Sequence, residues 1–596
     1  LTAPTSTPPQ PTAAHAPGLS PTPAALRVLT LALTLAVCAP TLLSYNVSPS
    51  PTFLNQALSV GLWALVLVVA RPALPAFGAG LAPLLAGLAV VAVAVLWSWG
   101  PGALPASLAL SALVLLAAAA LVMCGAAGAR RRFDATGLFA AWCVALLITA
   151  LVNAAVAAVQ VFAPDVPDGK WLAISGIPGR AVGNLRQPNH LSSVLLWGAV
   201  ALVALSALRR VRLGSALAML AVLMLAVVLT ASRTGLVSVA LLALWGLLDR
   251  RLPKPTRALL LAAPLLYALA WAGMSGWSSL AQHEFGGAQR LAETDISGSR
   301  FGIWANTLAL IRANPWAGVG FGEFNMAWTL TPFPGRPTAF FDHTHNLPLQ
   351  LAVELGLPLA ALVMALLLWA LGWAAWRGVA AGTGAGDEGI AQRSAVMLVL
   401  MIGLHSLLEY PLWYAYFLLP AAWSWGFALG GPRAPRAPAP GRASAVLTAG
   451  ALAMALATPL SVWDYRRVVA IFYAQPDATT LEQRIAIGQR SVLFAHHADY
   501  AALTANLGSP DAGKSFERAS HHLLDTRLML AWARSLHARG ETDAARFIAA
   551  RLREFNRPES ASFFEPCASL LPASEKPFQC SPPQRAWAWR DFLVLR

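Results

Sequence analysis

A polar segment, Phe341-Asp342-His343-Thr344-His345-Asn346, runs straight into the apolar stretch that begins Leu347-Pro348-Leu349. An ionisable side chain at the edge of a bilayer is costly unless it serves a site, so both histidines are candidates for chemistry. Imidazole exchanges a proton near neutral pH, which suits His343 or His345 to general-base work. Metal binding is the rival reading. His343-x-His345 is a possible ligand pair, but two residues apart on a helix the rings diverge, and no obvious third and fourth ligands accompany them. Three arginines stand at similar boundaries: Arg186, Arg233 and Arg300. Guanidinium groups present a fixed fork of donors and keep their charge, so they are natural clamps for a diphosphate. A cationic clamp with one base beside it suggests transfer from a lipid pyrophosphate.

Each cluster also has a plainer reading. In Gly183-Asn184-Leu185-Arg186-Gln187-Pro188-Asn189-His190 the proline marks a helix start whose free N–H groups suit an anion, and the alternative is a polar helix cap. Arg233, in Ser232-Arg233-Thr234-Gly235, is also placed to snorkel to lipid head groups. Asn314-Pro315-Trp316-Ala317-Gly318-Val319-Gly320-Phe321-Gly322 resembles a phosphate loop only superficially: no strand precedes it and no Gly-Lys-Ser/Thr follows. Asp342 and Glu409 are read as orienting partners, or as cap and ion-pair residues.

The elements that must position these groups are membrane helices. Of 596 residues, 57% are hydrophobic and only 12% charged, too little polar surface for a soluble globule. Apolar runs near 25–44, 55–70, 78–98, 104–128, 136–162, 190–207, 213–231, 235–249, 257–275, 347–376, 394–410, 412–430 and 443–462 predict about thirteen spans, give or take one or two. The expected fold is an all-α, polytopic helical membrane protein. Its parts are a disordered, Pro- and Thr-rich tail over 1–24, helices with short loops over 25–275, a large periplasmic loop over 276–346, helices again over 347–462, and a small helical periplasmic domain over 463–596. No signal peptide is evident. The net charge of +15 comes from basic residues scattered between spans, which argues for loop topology and lipid contact and against nucleic acid.

Basic clusters fall at alternate span ends: Arg27, Arg71, Arg130 to Arg132, Arg209 to Arg212, Arg250 to Arg257, Arg377 with Arg393, and Arg433 to Arg442. With these in the cytoplasm, the opposite face receives 163–189, the turn 231–235, 276–346, 405–412 and the tail after about 463. In an oxidising compartment Cys567 and Cys580 of that tail are disulfide candidates, two free thiols being the alternative. Segments 526–533 and 542–549 show helical spacing around Gly540, resembling tetratricopeptide hairpins, with an ordinary helical cap as the equal alternative.

Taken in order, Gly183 to His190, Ser232 to Gly235, Ser299-Arg300-Phe301-Gly302-Ile303-Trp304, Asn314 to Gly320, His345-Asn346 with Glu354-Leu355-Gly356, and His405-Ser406-Leu407-Leu408-Glu409-Tyr410-Pro411 resemble the bacterial protein O-oligosaccharyltransferases of the PglL type, within the O-antigen ligase and polymerase superfamily. The resemblance spans about 130 to 430. It implies a glycosyltransferase of the bacterial inner membrane, facing the periplasm, that moves a preassembled glycan from undecaprenyl pyrophosphate to a Ser or Thr hydroxyl of a protein such as pilin. Carried over by position, His345 is the base in preference to His343, and Arg233 and Arg300 are the diphosphate contacts. Gln187 and Tyr410 support transfer, and Asn189, His190, Asn346 and Glu409 belong to the same motifs. Arg186 stands where the subfamily often has a small residue, which leaves its place in the clamp less secure.

The implied reaction is a single inverting displacement without cofactor or metal, the arginines meeting the charge of the leaving diphosphate. Its rivals are an O-antigen ligase acting on lipid A-core, an O-antigen polymerase and, from another class, a transporter. A transporter fits less well, since neither paired broken helices nor symmetry between halves is visible.

Overall fold

The computed structural model describes residues 22–287, 296–380, 386–431, 443–473, 479–505, 512–570, 572 and 575–593. Most of the expected N-terminal tail (1–21), residues 288–295 of the large loop, and Arg433, Arg436 and Arg442 lie outside the described residues. All thirteen apolar runs are helices. They are α1 (Pro23–Leu42), α2 (Phe53–Ala70), α3 (Leu81–Trp99), α4 (Ala106–Ala129), α5 (Ala135–Phe162), α6 (Pro188–Ala207), α7 (Leu213–Thr230), α8 (Arg233–Leu248) and α9 (Lys254–Ala281). Between this group and the next lie α10 (Ile296–Ala313) and α11 (Phe324–Leu330); then follow α12 (Leu347–Val379), α13 (Asp387–Ser406), α14 (Ala415–Leu429) and α15 (Ala445–Phe472). Eleven of the thirteen are long and apolar enough to cross a membrane, while α8 and α14 are shorter. The chain is a polytopic helical membrane protein.

Helix α6 is the axis of the bundle, buried along nearly its whole length and packed on α5, α7, α13 and α8. The basic clusters collect at one end. There Arg130 donates to Gln392 (2.6 Å), to the Phe427 carbonyl (2.8 Å) and to Glu388 (2.6 Å), and Arg393 pairs with Asp249 at 2.7 Å. The Arg131 and Arg132 guanidiniums bind the carbonyls of Leu74 and Arg71. At the other end α6, α8 and α12 all begin, capped by Gln187, Ser232 and Asn346.

One long helix is broken. At Gly356 (φ +78°, ψ 163°) α12 leaves helical geometry, and the loop Pro315–Gly320 enters the gap: Val319 donates to the Val353 carbonyl, Gly320 to that of Glu354 and Leu357 to that of Pro315. A Cβ on Gly356 would stand 2.2 Å from the Trp316 carbonyl oxygen, so only glycine fits both the backbone angle and the approach. The glycine-rich stretch thus satisfies backbone groups freed by the break, as non-helical backbone at this depth requires.

Beyond α15 come α16 (Leu481–Gly488), α17 (Ala495–Thr504), α18 (Ala512–Ala519), α19 (Thr526–Ala538) and α20 (Thr542–Phe555). Helix α15 runs ten residues past the expected boundary at 462, and the large loop contains helices of its own, α10 and α11. The tail shares a core with that loop: Trp328, Phe324 and Phe333 pack with Phe555, Leu528, Trp532 and Ile548. Arg336 of the loop lies over the rings of Trp328 and Phe555, and Asn325 joins the Phe341 carbonyl to the Leu524 amide. Cys567 and Cys580 are disulfide-bonded.

Candidate active site

Glu409 lies in the turn between α13 and the Pro411–Trp413 helical turn, with 7% of its side chain exposed, and three parts of the chain converge on it. His345 Nδ1 is 2.7 Å from Oε2, while Oε1 accepts from Asn189 Nδ2 at 2.9 Å and from the Arg300 guanidinium. These partners are separated by 64, 220 and 109 positions in sequence. Burial raises the Glu409 carboxyl, but the His345 hydrogen bond and the charges of His345 and Arg300 outweigh it and hold the group at about 2. An ionised Glu409 accepts a hydrogen bond from the Nδ1–H of His345, so that in the neutral ring Nε2 keeps its lone pair as the accepting nitrogen.

The backbone around His345 is fixed unusually firmly. His345 sits at φ +55°, a left-handed conformation that costs free energy in a residue with a Cβ. Its neighbours hold it there: the Thr344 N–H donates to Gln350 Oε1 (2.8 Å), the Thr344 carbonyl accepts from Trp304 Nε1 (2.9 Å), and Thr344 Oγ1 donates to the Asn346 carbonyl (2.8 Å). Asn346 is the cap of α12, accepting from the Leu349 amide and donating to the Leu407 carbonyl, which ties the loop to the Glu409 turn. Its part is structural support for His345.

Tyr410 meets His345 edge to face at 5.0 Å between centroids and stacks on His343 at 4.3 Å and 7°. Burial pushes its phenol far above the ordinary value, so it stays protonated. His343 lies 3.0 Å from Asp342 and away from Glu409's contacts, so the histidines part company: one faces the carboxylate, the other the tyrosine.

The remaining residues fall into place around Asn189. Gln187 Oε1 accepts from the Asn189 and His190 amides, which makes Gln187 the side-chain cap of α6. Asn189 Oδ1 accepts from Ser232 Oγ at 2.7 Å, and Ser232 in turn caps α8, whose first residue is Arg233. That link brings a half-buried Arg233 to the end of the bundle where Glu409 lies. His190 is buried inward, its ring against Tyr414 and Phe417. Arg186 is turned aside: its guanidinium donates to the Ser44 carbonyl (2.6 Å) and reaches toward that of Gly169. Of the expected threefold clamp, Arg300 meets the carboxylate, Arg233 heads the helix whose cap Ser232 joins Asn189, and Arg186 pins two loops.

Thr344, Gln350, Trp304 and Ser232 support the site without having been singled out in the sequence. Ser232 was legible only as a member of the Ser232–Gly235 motif, and Gln350 as the polar residue left in the first turns of an apolar helix. Trp304 stands in the Ser299–Trp304 motif, where no role was read for it. Three helices start at the site, so three positive dipole ends face the region of Glu409 and its arginines, an arrangement that favours a bound anion. Two adjoining apolar cavities, of about 230 and 390 Å³, share Leu347, Leu412 and Leu418 and so open beside the residue that follows Asn346.

The chain matches the family model of protein glycosylation ligases over 181–205, that of O-antigen ligases over 216–364, and that of the C-terminal part of virulence-factor membrane-bound polymerases over 394–564. It is 28% identical over 303 residues to the general O-oligosaccharyltransferase of Acinetobacter baylyi, covering 48% of this chain and 49% of that protein. It is 25% identical over 280 residues to the ComP-specific O-oligosaccharyltransferase of the same organism, covering 44% and 46%. The chain spans about half the length of the curated relatives it matches. Each matched region gives the cluster a member: Asn189 from the first, Arg300 and His345 from the second, Glu409 from the third. The third also runs on into the tail helices that share a core with the loop. The chain thus resembles the PglL-type protein glycosylation ligases of the O-antigen ligase superfamily.

Proposed function

We propose that the protein transfers a preassembled glycan from undecaprenyl pyrophosphate to Ser or Thr hydroxyls of a protein, with pilin-type proteins as the first acceptors to try. The single observation that carries this reading is the Glu409 cluster, in which one carboxylate orients a strained histidine and holds an arginine beside it. His345 Nε2 takes the proton of the acceptor hydroxyl as that oxygen bonds to the anomeric carbon. The bond from that carbon to the diphosphate oxygen breaks in the same step, with inversion, and its electron pair leaves on the lipid diphosphate. Arg233 and Arg300 meet the departing charge, helped by the three helix starts. Glu409 fixes the ring and stabilises the imidazolium, the part a carboxylate takes beside a histidine base in hydrolases.

The apolar cavities below Asn346 suit the first isoprene units of the donor. Protein as acceptor is supported by the two relatives named as O-oligosaccharyltransferases; lipid A-core or a growing O-antigen is the second reading, favoured by the O-antigen ligase match. We place the protein in the bacterial inner membrane with the site facing the periplasm, because the basic residues gather at the opposite end and the bonded cysteines lie in the tail that packs on the site loop.

The test is reconstitution with a lipid-linked glycan and two acceptors, pilin and lipid A-core. Glycosylated pilin that disappears in His345→Ala is expected. Transfer to lipid A-core alone would move the chain to the ligase reading, and full transfer by His345→Ala would overturn the mechanism. A cysteine at position 345 is expected to label from the periplasmic side only.

A further inference from the structure

A second histidine cluster stands apart from the Glu409 site. His496 and His497 open α17, His522 lies in the turn after α18, and one ring nitrogen of each is within 4.8 Å of the other two. The ring centroids are 4.2, 4.3 and 4.9 Å apart. His496 is buried and the other two are half-buried. His496 Nδ1 is 3.0 Å from Ser107 Oγ at the start of α4, which commits that nitrogen to the hydroxyl and leaves Nε2 for the cluster. A ligating histidine characteristically has its second nitrogen fixed by such a partner, which sets ring orientation and tautomer.

The geometry points to a divalent transition-metal site, zinc by chemical preference, held by His496, His497 and His522 and fastening the tail helices to the membrane body. Three imidazoles suit zinc, copper or nickel and not magnesium or calcium, which take oxygen ligands. Zinc at about 2.0–2.1 Å from each nitrogen draws the three to about 3.3 Å apart, a closure within reach of small ring rotations. Stacking accounts for a pair of neutral rings, but it gives no reason for a third imidazole meeting both.

The position gives the ion a task. The neighbouring His521 bonds Glu323 of the site loop at 2.7 Å, and Ser107 belongs to a membrane helix, so the trio lies where tail, loop and bundle meet. Asp342, one residue before His343, acts electrostatically on His522. The sequence offered metal only at His343-x-His345; this cluster is assembled from residues twenty-five positions apart. It does not rest on the transfer reaction and takes no part in it.

The experiment uses the full chain, untagged and in detergent, stripped with chelator and then equilibrated with equimolar zinc. About one zinc per chain is expected, with Tm raised on loading, and with Co²⁺ in its place the visible absorption of a low-symmetry nitrogen site. His497→Ala and His522→Ala are expected to lose the ion, and His343→Ala and His345→Ala to retain it. A wild-type chain that takes up no zinc would overturn the site. So would undiminished binding by His522→Ala or loss of the ion in His343→Ala. Stoichiometric binding without a change in Tm would overturn the fastening role.

Discussion

Both ends of the bundle bury an arginine against a carboxylate, and the two pairs serve different ends. Arg130 is 2% exposed, and its terminal nitrogens bond Glu388, Gln392 and the Phe427 carbonyl while the guanidinium lies over the Phe427 ring. Arg300 is 27% exposed, and the carboxylate it meets also holds a histidine in a left-handed backbone conformation. In the first pair the buried guanidinium spends its terminal nitrogens on protein partners while Glu388 stays partly exposed, which makes a fastener between α4, α13 and α14. In the second, the arginine keeps donors toward solvent and the histidine keeps a free nitrogen, which makes a site. A buried ion pair by itself therefore says little about function. What distinguishes the site is a titratable group at the pair's edge and a strained backbone beside it.

Mutations at the two ends are expected to separate rate from stability. The largest effect falls on His345→Ala, which lowers glycan transfer by about 10²- to 10⁴-fold while leaving Tm near wild type; turnover by the purified variant checks both. Glu409→Gln, which keeps shape and removes the charge, lowers transfer on the order of 10²-fold, because the ring loses the acceptor that fixes its tautomer. Rescue to wild-type rate by glutamine would reduce the carboxylate to a spacer.

At the opposite end Arg130→Ala is expected to destabilise by about 1–3 kcal/mol, since it leaves the buried Gln392 oxygen and Phe427 carbonyl unpaired, yet transfer per folded molecule stays unchanged. A loss of turnover at full folding would erase the contrast between the ends. The pH dependence follows from Glu409, whose folded-state value of about 2 is below its ordinary one. Its ionised form stabilises the fold above about pH 4.3, and that contribution is lost as pH falls toward 2. Thermal melts across this window are expected to fall less steeply in Glu409→Gln than in wild type. Arg186→Ala has the smallest effect, about 1 kcal/mol of stability from its carbonyl bond and no change in transfer. A large loss of transfer there would return Arg186 to the clamp.

Much of the bundle was legible locally. Twenty apolar residues in a row have one low-energy arrangement in a bilayer, so α1 to α9 and α12 to α15 follow from composition alone. Pro188 marked a helix start because cap chemistry acts within a single turn, whereas the capping roles of Ser232 and Asn346 emerged with the structure. The glycine-rich stretch at Gly318 and Gly320 finds its partner, the break at Gly356, in a later helix that nothing in its own neighbourhood names. Arg186 has the same residue type and the same kind of boundary as Arg233. Nothing within its neighbourhood tells that its guanidinium turns to Ser44.

The sequence by itself determined the class of protein, its spans, the segregation of basic residues, and the histidine and arginine types that stand at the span ends. These are properties of hydrophobic runs and single turns, and each is fixed within about twenty residues. Only the tertiary structure decided which of two histidines meets Glu409, that Arg300 and not Arg186 joins it, that the tail shares a core with the site loop, and that His496, His497 and His522 come together. Those pairings cross between helices, and which helix faces meet is set by the packing of the whole bundle around α6 rather than by any local stretch of chain.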